Sequence, residues 1–269
     1  MSEPEVGRDG FSKSRPHVAR VYDYLLGGKD NFAADRAVGD EILTSLPAVQ
    51  IGVRAQRAVL GRVVRYLVAE AGVRQLVDIG SGLPTVDNVH EIAQRTAPDT
   101  RVVYVDNDPV VLTHARALLA DNDSTIVVDG DLRRPAEILA RPQLRAHLDW
   151  DRPIGLLLCG ILHHVLDDEH PEDLVATLCE ALPSGSYLFI HHLVDSGDPA
   201  IADVQATFRQ ALGRGQFRTQ AQVRAMFAGL PLVEPGLVLV PEWRPDWSTG
   251  KVQDHPVLRL ACAGVARKP

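Results

Sequence analysis

Four short stretches hold the residues of this sequence best placed to do chemistry. The first is Val77-Asp78-Ile79-Gly80-Ser81-Gly82-Leu83-Pro84-Thr85. Gly80 and Gly82 let the backbone approach a ligand closely, and a helix expected behind them offers free N–H groups. Pro84 and Thr85 stand where a dinucleotide fingerprint would carry its third glycine. Asp78 would repel a pyrophosphate but suits a ligand that carries an ammonium group. The second stretch runs from Val102 to Pro109 and ends its strand on Asp106. That acid falls about 20 residues beyond the glycine loop, where a carboxylate can take both hydroxyls of a ribose. NAD enzymes place an acid similarly, so this stretch alone does not discriminate. Asp108-Pro109 also fits a helix N-cap with proline at the first helical position.

The third stretch, Val128-Asp129-Gly130-Asp131-Leu132, is either a turn or a site where Asp131 accepts from an adenine amino group. The fourth runs from Leu156 through Cys159-Gly160 to His163-His164 and turns from strand into loop. Histidine is the usual general base near neutral pH, so His163 and His164 are the candidate catalytic residues, although a histidine here can equally just line a pocket. His191 and His192 follow on a later strand and alternate between its faces. No metal-ligand spacing and no G-x-S-x-G elbow is present. Cys159, Cys179 and Cys262 form no C-x-x-C pair and read as small buried hydrophobes.

The elements that must position these residues come in two patterns. Residues 1–14 read as a loose tail. Three helices follow, over about Pro16 to Leu26, Asp35 to Ser45 and Val49 to Ala71, with Gly27-Gly28, Pro47 and Gly72 as stops. From Gln75 short apolar runs alternate with helical stretches. The runs are Leu76 to Ile79, Arg101 to Val105, Thr125 to Val128, Ile154 to Cys159 and Ser186 to Ile190. Such alternation implies a parallel sheet with crossover helices. Gly236 to Val240 and Val257 to Val265 read as an antiparallel hairpin at the sheet edge, joined by a loop containing Trp243-Arg244-Pro245-Asp246-Trp247 that could help bind a substrate. The fold class is therefore α/β and doubly wound: a helical cap over residues 15–72, then a ligand-binding core over 73–269.

Lys plus Arg number 28 against 35 Asp plus Glu, a net charge of −7 in 269 residues. That balance argues against a surface built for nucleic acid. The longest near-apolar run, Pro153 to Leu162, is too short for a ~30 Å bilayer core, and no N-terminal apolar signal region is seen. A cytoplasmic protein without a membrane partner is expected.

The segment from Arg15 to Arg36, containing Ala19-Arg20-Val21-Tyr22-Asp23-Tyr24-Leu25-Leu26-Gly27-Gly28-Lys29-Asp30-Asn31-Phe32, resembles the opening block of a bacterial, mostly actinobacterial, methyltransferase family. That family depends on S-adenosylmethionine and was once catalogued as a domain of unknown function. Asp78 to Thr85, Asn88 to Glu91, Val103 to Pro109 and Gly130 to Arg133 look like it too, and D-x-G-x-G opens the first motif of such methyltransferases. Gln56 departs from the asparagine expected there. The resemblance implies a class I, Rossmann-like fold with a seven-stranded, mostly parallel sheet. It implies S-adenosylmethionine as cofactor, and the acidic balance makes a small molecule the expected methyl acceptor. The cofactor residues expected are Tyr22, Gly28, Asn31, Asp78, Gly80, Ser81, Gly82, Thr85, Asp106, Asn107, Asp131, Leu132, Cys159 and Gly160, with no metal. Tyr22, Tyr24 and Phe32 could offer aromatic faces to a sulfonium. Two rival readings are a cofactor-binding regulator without turnover and an NAD(P)-dependent oxidoreductase. The absent third glycine, Gly130-Asp131 and the terminal hairpin weigh against the oxidoreductase.

Overall fold

Near-continuous apolar runs need cover on both faces of a sheet. The computed structural model describes residues 13–84, 87–119, 122–197, 199–245 and 255–269, and in it five such runs become parallel strands. These are β1 (Gln75–Ile79), β2 (Arg101–Asp106), β3 (Thr125–Asp129), β4 (Gly155–Cys159) and β5 (Tyr187–Leu193). With β6 (Val238–Leu239) and β7 (Ala261–Arg267) they form a seven-stranded sheet in the order β3-β2-β1-β4-β5-β7-β6. Strand β7 runs antiparallel to both β5 and β6, with Tyr187 opposite Arg267. The order reverses between β1 and β4, and ligands bind beyond the carboxyl ends of strands at such a switch point.

Side chains alternate across the pleat. Val77, Ile79, Leu156 and Leu158 face one core, with Ile138, Val175 and Leu178 of the covering helices. Leu76, Leu157 and Phe189 face the other, against Val63, Val64, Leu67 and Ile92. The covering helices include α4 (Val89–Thr96), α5 (Pro109–Leu118), α6 (Pro135–Leu139), α7 (Pro142–His147) and α8 (Pro171–Ala181). Asp108 caps α5 by accepting from the Val110 amide at 2.7 Å, with Pro109 at the first helical position.

Two parts of the sequence reading change. The second hairpin strand starts at Ala261 rather than Val257, because Pro256–Leu260 forms a 3₁₀ turn. Pro256 fixes its own φ and lacks an N–H, and the His255 ring accepts from the Val257 amide at 3.2 Å. Helices α6 and α7 between β3 and β4, and α9 (Pro199–Leu212) and α10 (Gln220–Ala225) between β5 and β6, are unforeseen in the sequence.

The cap is α1 (Val18–Leu26), α2 (Ala33–Ser45) and α3 (Val49–Arg65), the last widening into a π turn over Tyr66–Glu70. Val21, Leu25, Val38, Ile42, Val49 and Val53 give it a small core of its own. A polar joint holds it to the sheet. Asp35, fully buried, accepts from the His17 amide at 2.9 Å, the Phe32 amide at 2.8 Å and Arg20 Nε at 3.2 Å. Arg20 also reaches Asp108 at 3.7 Å, and His17 Nδ1 lies 2.7 Å from the same carboxylate. Breaking a buried pair from one side leaves an uncompensated charge, which costs about 3–5 kcal/mol. Asp35→Ala should therefore lower the melting temperature by on the order of 10 °C, read by calorimetry or circular dichroism.

Candidate cofactor and acceptor site

A cavity of about 430 Å³ opens at the switch point, within the usual range for small-ligand pockets. Its floor is the loops after β1, β2, β3 and β4, and its walls come from α1, α3 and α9. The glycine loop folds as its residue types require. Gly80 has φ +74°, and a Cβ there would lie 2.6 Å from the Ile161 side chain in the loop after β4. Its amide donates to the Val105 carbonyl at 2.8 Å, which ties the loop to β2. Gly82 N donates to Asp106 Oδ2 and Asp108 N to Asp106 Oδ1, both at 2.9 Å. Asp106 thus stitches two loops together, and its remaining lone pairs face the cavity.

Asp78 also lines the cavity, almost fully buried. Burial pushes its carboxyl up to about 7; nearby Arg57 offsets part of this and Asp106 adds to it. Asp131 sits at the far edge, bound by the Arg133 amide and guanidinium and touched by Asn107 Nδ2 at 3.4 Å. Burial alone would raise its pKa, but Arg133 holds it below the usual range. The Cys159 thiol borders the same space next to Gly160. Burial pushes it up to about 12, so it stays protonated.

Most of the expected cofactor residues converge here. Tyr22, Asp78, Gly80, Ser81, Gly82, Asp106, Asn107, Asp131, Leu132, Cys159 and Gly160 line the cavity, as do His163 and His164. Tyr22 donates to the Val53 carbonyl at 3.3 Å. Thr85 lies outside the described residues. Gly28 and Asn31 stand apart from the cavity, in a turn wrapped around Asp23. The Asp23 carboxylate accepts from Asp30 N and Asn31 Nδ2, both at 2.9 Å. A Cβ on Gly28 would collide with that carboxylate, which accounts for the glycine. Tyr24 bonds Asp40 at 2.6 Å and Phe32 packs under Arg20, so neither faces the cavity. Trp243 is fully buried against Tyr66, its carbonyl accepting from Arg62 at 2.8 Å, and so is core rather than a binding surface. Asp246 and Trp247 lie outside the described residues.

The lining also includes residues that sequence reasoning did not assign. Gln56 and Arg57 of α3 reach the floor, and Val204, Phe208 and Leu212 of α9 close the apolar side. The sequence marks Gln56 only as a departure from the family's asparagine and gives neither Gln56 nor Arg57 a role.

Sheet order, glycine loop and strand-end acids together define a class I methyltransferase. The family model described as S-adenosyl methyltransferase matches residues 5–269, and the chain belongs to that family. A Thermobifida fusca protein described as a candidate methyltransferase is 46% identical, covering 95% of this chain and 96% of its own, with a TM-score of 0.90. A DUF574 family protein from Streptomyces avermitilis is 42% identical, covering 96% and 99%, also with a TM-score of 0.90. Human N-acetylserotonin methyltransferase in complex with S-adenosylmethionine shares the fold at 15% identity and a TM-score of 0.51, over 95% of this chain and 63% of that one. No curated protein matches the chain significantly. The chain is thus a methyltransferase that uses S-adenosylmethionine, and among the described residues no helix is long and apolar enough to cross a membrane.

The raised Asp78 gives a signed prediction. Its folded pKa lies above the unfolded one, so ionisation opposes folding and stability falls as pH rises from about 4 to 7. A ligand ammonium beside Asp78 would favour the ionised form. Affinity for S-adenosylhomocysteine should therefore rise about tenfold from pH 6 to pH 8, measured by calorimetry. In Asp78→Asn the affinity should be weaker and flat over that range.

Proposed function

We propose that the chain methylates a small, largely apolar molecule, with its cofactor lying across the loops after β1 to β4. The carrying observation is Asp78, a buried carboxylate that lines the cavity and to which no side chain or amide among the described residues hydrogen-bonds. A ligand ammonium supplies the missing partner, directly or through water. In this reading Gly80, Ser81 and Gly82 pass under the amino-acid and ribose portions. Asp106 takes the ribose hydroxyls, and Asp131 with Asn107 borders the adenine. S-adenosylmethionine supplies an electrophilic methyl on a sulfonium. The chain's own task is to hold the acceptor in line with it and keep water out, mainly an effect of proximity.

The cap residues 15–72 belong to the site in this proposal, since Tyr22, Gln56 and Arg57 line it. Gly28 and Asn31 contribute only by shaping the turn that holds α1. The enclosure by α1, α3 and α9 favours an acceptor of limited size over a nucleic acid, in line with the net charge of −7. The acidic balance also fits a cytoplasmic site of action.

A thermal melt with S-adenosylmethionine, S-adenosylhomocysteine and NAD in parallel tests the placement. Saturation at 100 times the dissociation constant adds ~2.7 kcal/mol, a shift of roughly 5–10 °C at this size. The two adenosyl ligands should shift the wild-type chain and NAD should not. Asp106→Ala should weaken S-adenosylhomocysteine on the order of 100-fold, since it loses charge-assisted hydrogen bonds and unties the glycine loop. Unchanged affinity in calorimetry would remove Asp106 from the site.

A further inference from the structure

The loop after β4 and strand β5 bring three histidines to the cavity, and their ring nitrogens decide how an acceptor is met. His163, His164 and His191 all line it. In each, Nδ1 is buried with no hydrogen-bond partner among the described residues, which leaves Nε2 as the nitrogen available to a ligand. A general base must present a bare nitrogen to the acceptor's proton. In a neutral imidazole the ring hydrogen then sits on the other nitrogen. Here that would put an N–H on Nδ1, buried with nothing to receive it. Buried orphan N–H groups are rarer than buried acceptors left without a donor. The opposite tautomer, with hydrogen on Nε2, points a donor into the cavity.

His192 shows the contrast. Its Nδ1 lies 2.7 Å from the Leu193 carbonyl, which can only accept, and its Nε2 lies 3.1 Å from Arg218 Nη1, which can only donate. Both nitrogens are spent inside the protein. Burial also keeps the other three rings neutral, His164 and His191 down to about 4 and His163 well below the ordinary value. Positive neighbours reinforce this for His164, where His17 and Arg214 lie close.

The charges are divided in the same way. The cavity carboxylates Asp78, Asp106 and Asp131 stand with β1, β2 and β3, on the cofactor side of the switch point. The β4–β5 side has the histidines and the Arg214–Phe217 segment. That segment is fastened to them by Gln216 N on the His163 carbonyl at 2.8 Å and Arg214 Nη1 on the His164 carbonyl at 3.2 Å. No carboxylate among the described residues lines that side, and Glu169 behind it is paired with Arg214 at 2.9 Å, so a cationic amine would find no free counter-charge there.

Building on the methyl-transfer reading above, we propose that the acceptor is an apolar molecule bearing an oxyanion, carboxylate or phenolate, which His163, His164 and His191 meet as Nε2–H donors rather than as bases. The lone pair of that oxygen forms the new carbon–oxygen bond as the carbon–sulfur bond breaks, and the released pair stays on sulfur. The acceptor arrives ionised, so no proton needs a base. Val204, Phe208 and Leu212 of α9 hold its apolar frame.

The test uses the full chain saturated with S-adenosylhomocysteine, titrated by calorimetry at pH 8 with cinnamate, 4-nitrophenolate and cinnamylamine. At least one anion should bind tenfold or more tightly than the amine. His164→Leu should lose that preference and His164→Gln, which keeps an N–H donor, should retain it. His191→Leu is the second variant should His164→Leu not fold, and the ranking in the wild-type chain needs no variant. Equal or tighter binding of the amine, or no binding of either anion to a chain that does bind S-adenosylhomocysteine, would overturn the oxyanion proposal alone. Loss of anion binding in both His164→Leu and His164→Gln would overturn the donor role. A chain that does not bind S-adenosylhomocysteine would overturn the placement of the cofactor as well.

Discussion

Everything at the mouth of the cavity depends on where the cap is held, and that is fixed by buried charge running from Asp35 through Arg20 to Asp108. Apolar packing alone would let three short helices slide, because their own core is only a handful of residues. Ion pairs and hydrogen bonds have direction. Asp35 receives two amides and a guanidinium and so sets the angle between α1 and α2. Asp108 is the cap of α5 and lies two residues past Asp106. The position of the helical layer is thus referred directly to the strand end that carries the site. Burial would raise the Asp108 pKa, but His17, the Val110 amide and Arg20 bring it below the ordinary range. Asp108 therefore stays ionised at neutral pH.

The cavity uses electrostatics in two opposite ways. On one side of the switch point, acids are kept in a setting that penalises their charge, and burial is the dominant cause for both Asp78 and Asp106. In the proposed site a cationic ligand would relieve that penalty at Asp78, which makes its carboxylate a means of selection. On the other side, imidazoles are held neutral by the same lack of water. One enclosure serves both, since each effect grows as the effective dielectric falls.

Much of this was legible in the sequence, and the reasons differ by element. The five parallel strands were readable because buried strands show as apolar runs bounded by turns, and Asp78, Asp106 and Asp131 because strand ends at a switch point are where ligands bind. The terminal strand was read too long because Val257, Leu258 and Leu260 are apolar, as strand residues are, while their burial is reached from a 3₁₀ turn. Helix α9 escaped notice because its apolar positions are spaced among polar ones without a strong stop before Gly213. The Gly27-Gly28 block looked like ligand-binding material because it is poor core. Its demand turned out to be local, a turn closing on the buried Asp23. No pattern in one sequence marks Gln56 or Arg57, whose importance comes from the docking of α3 beside a loop about a hundred residues away.

The stitching of Asp106 to Gly82 and Asp108 has a consequence for exchanging parts. A side chain that recognises a ligand usually tolerates redesign, because only the ligand notices. Here the same two oxygens complete the backbone of one loop and the start of the next. If the cofactor lies as proposed, re-specifying it would therefore mean rebuilding both loops together with the helical layer that leans on Asp108. The apolar wall from α9, proposed to meet the acceptor, carries no such obligation, and that is where a lineage or an engineer is free to change the molecule that receives the methyl group.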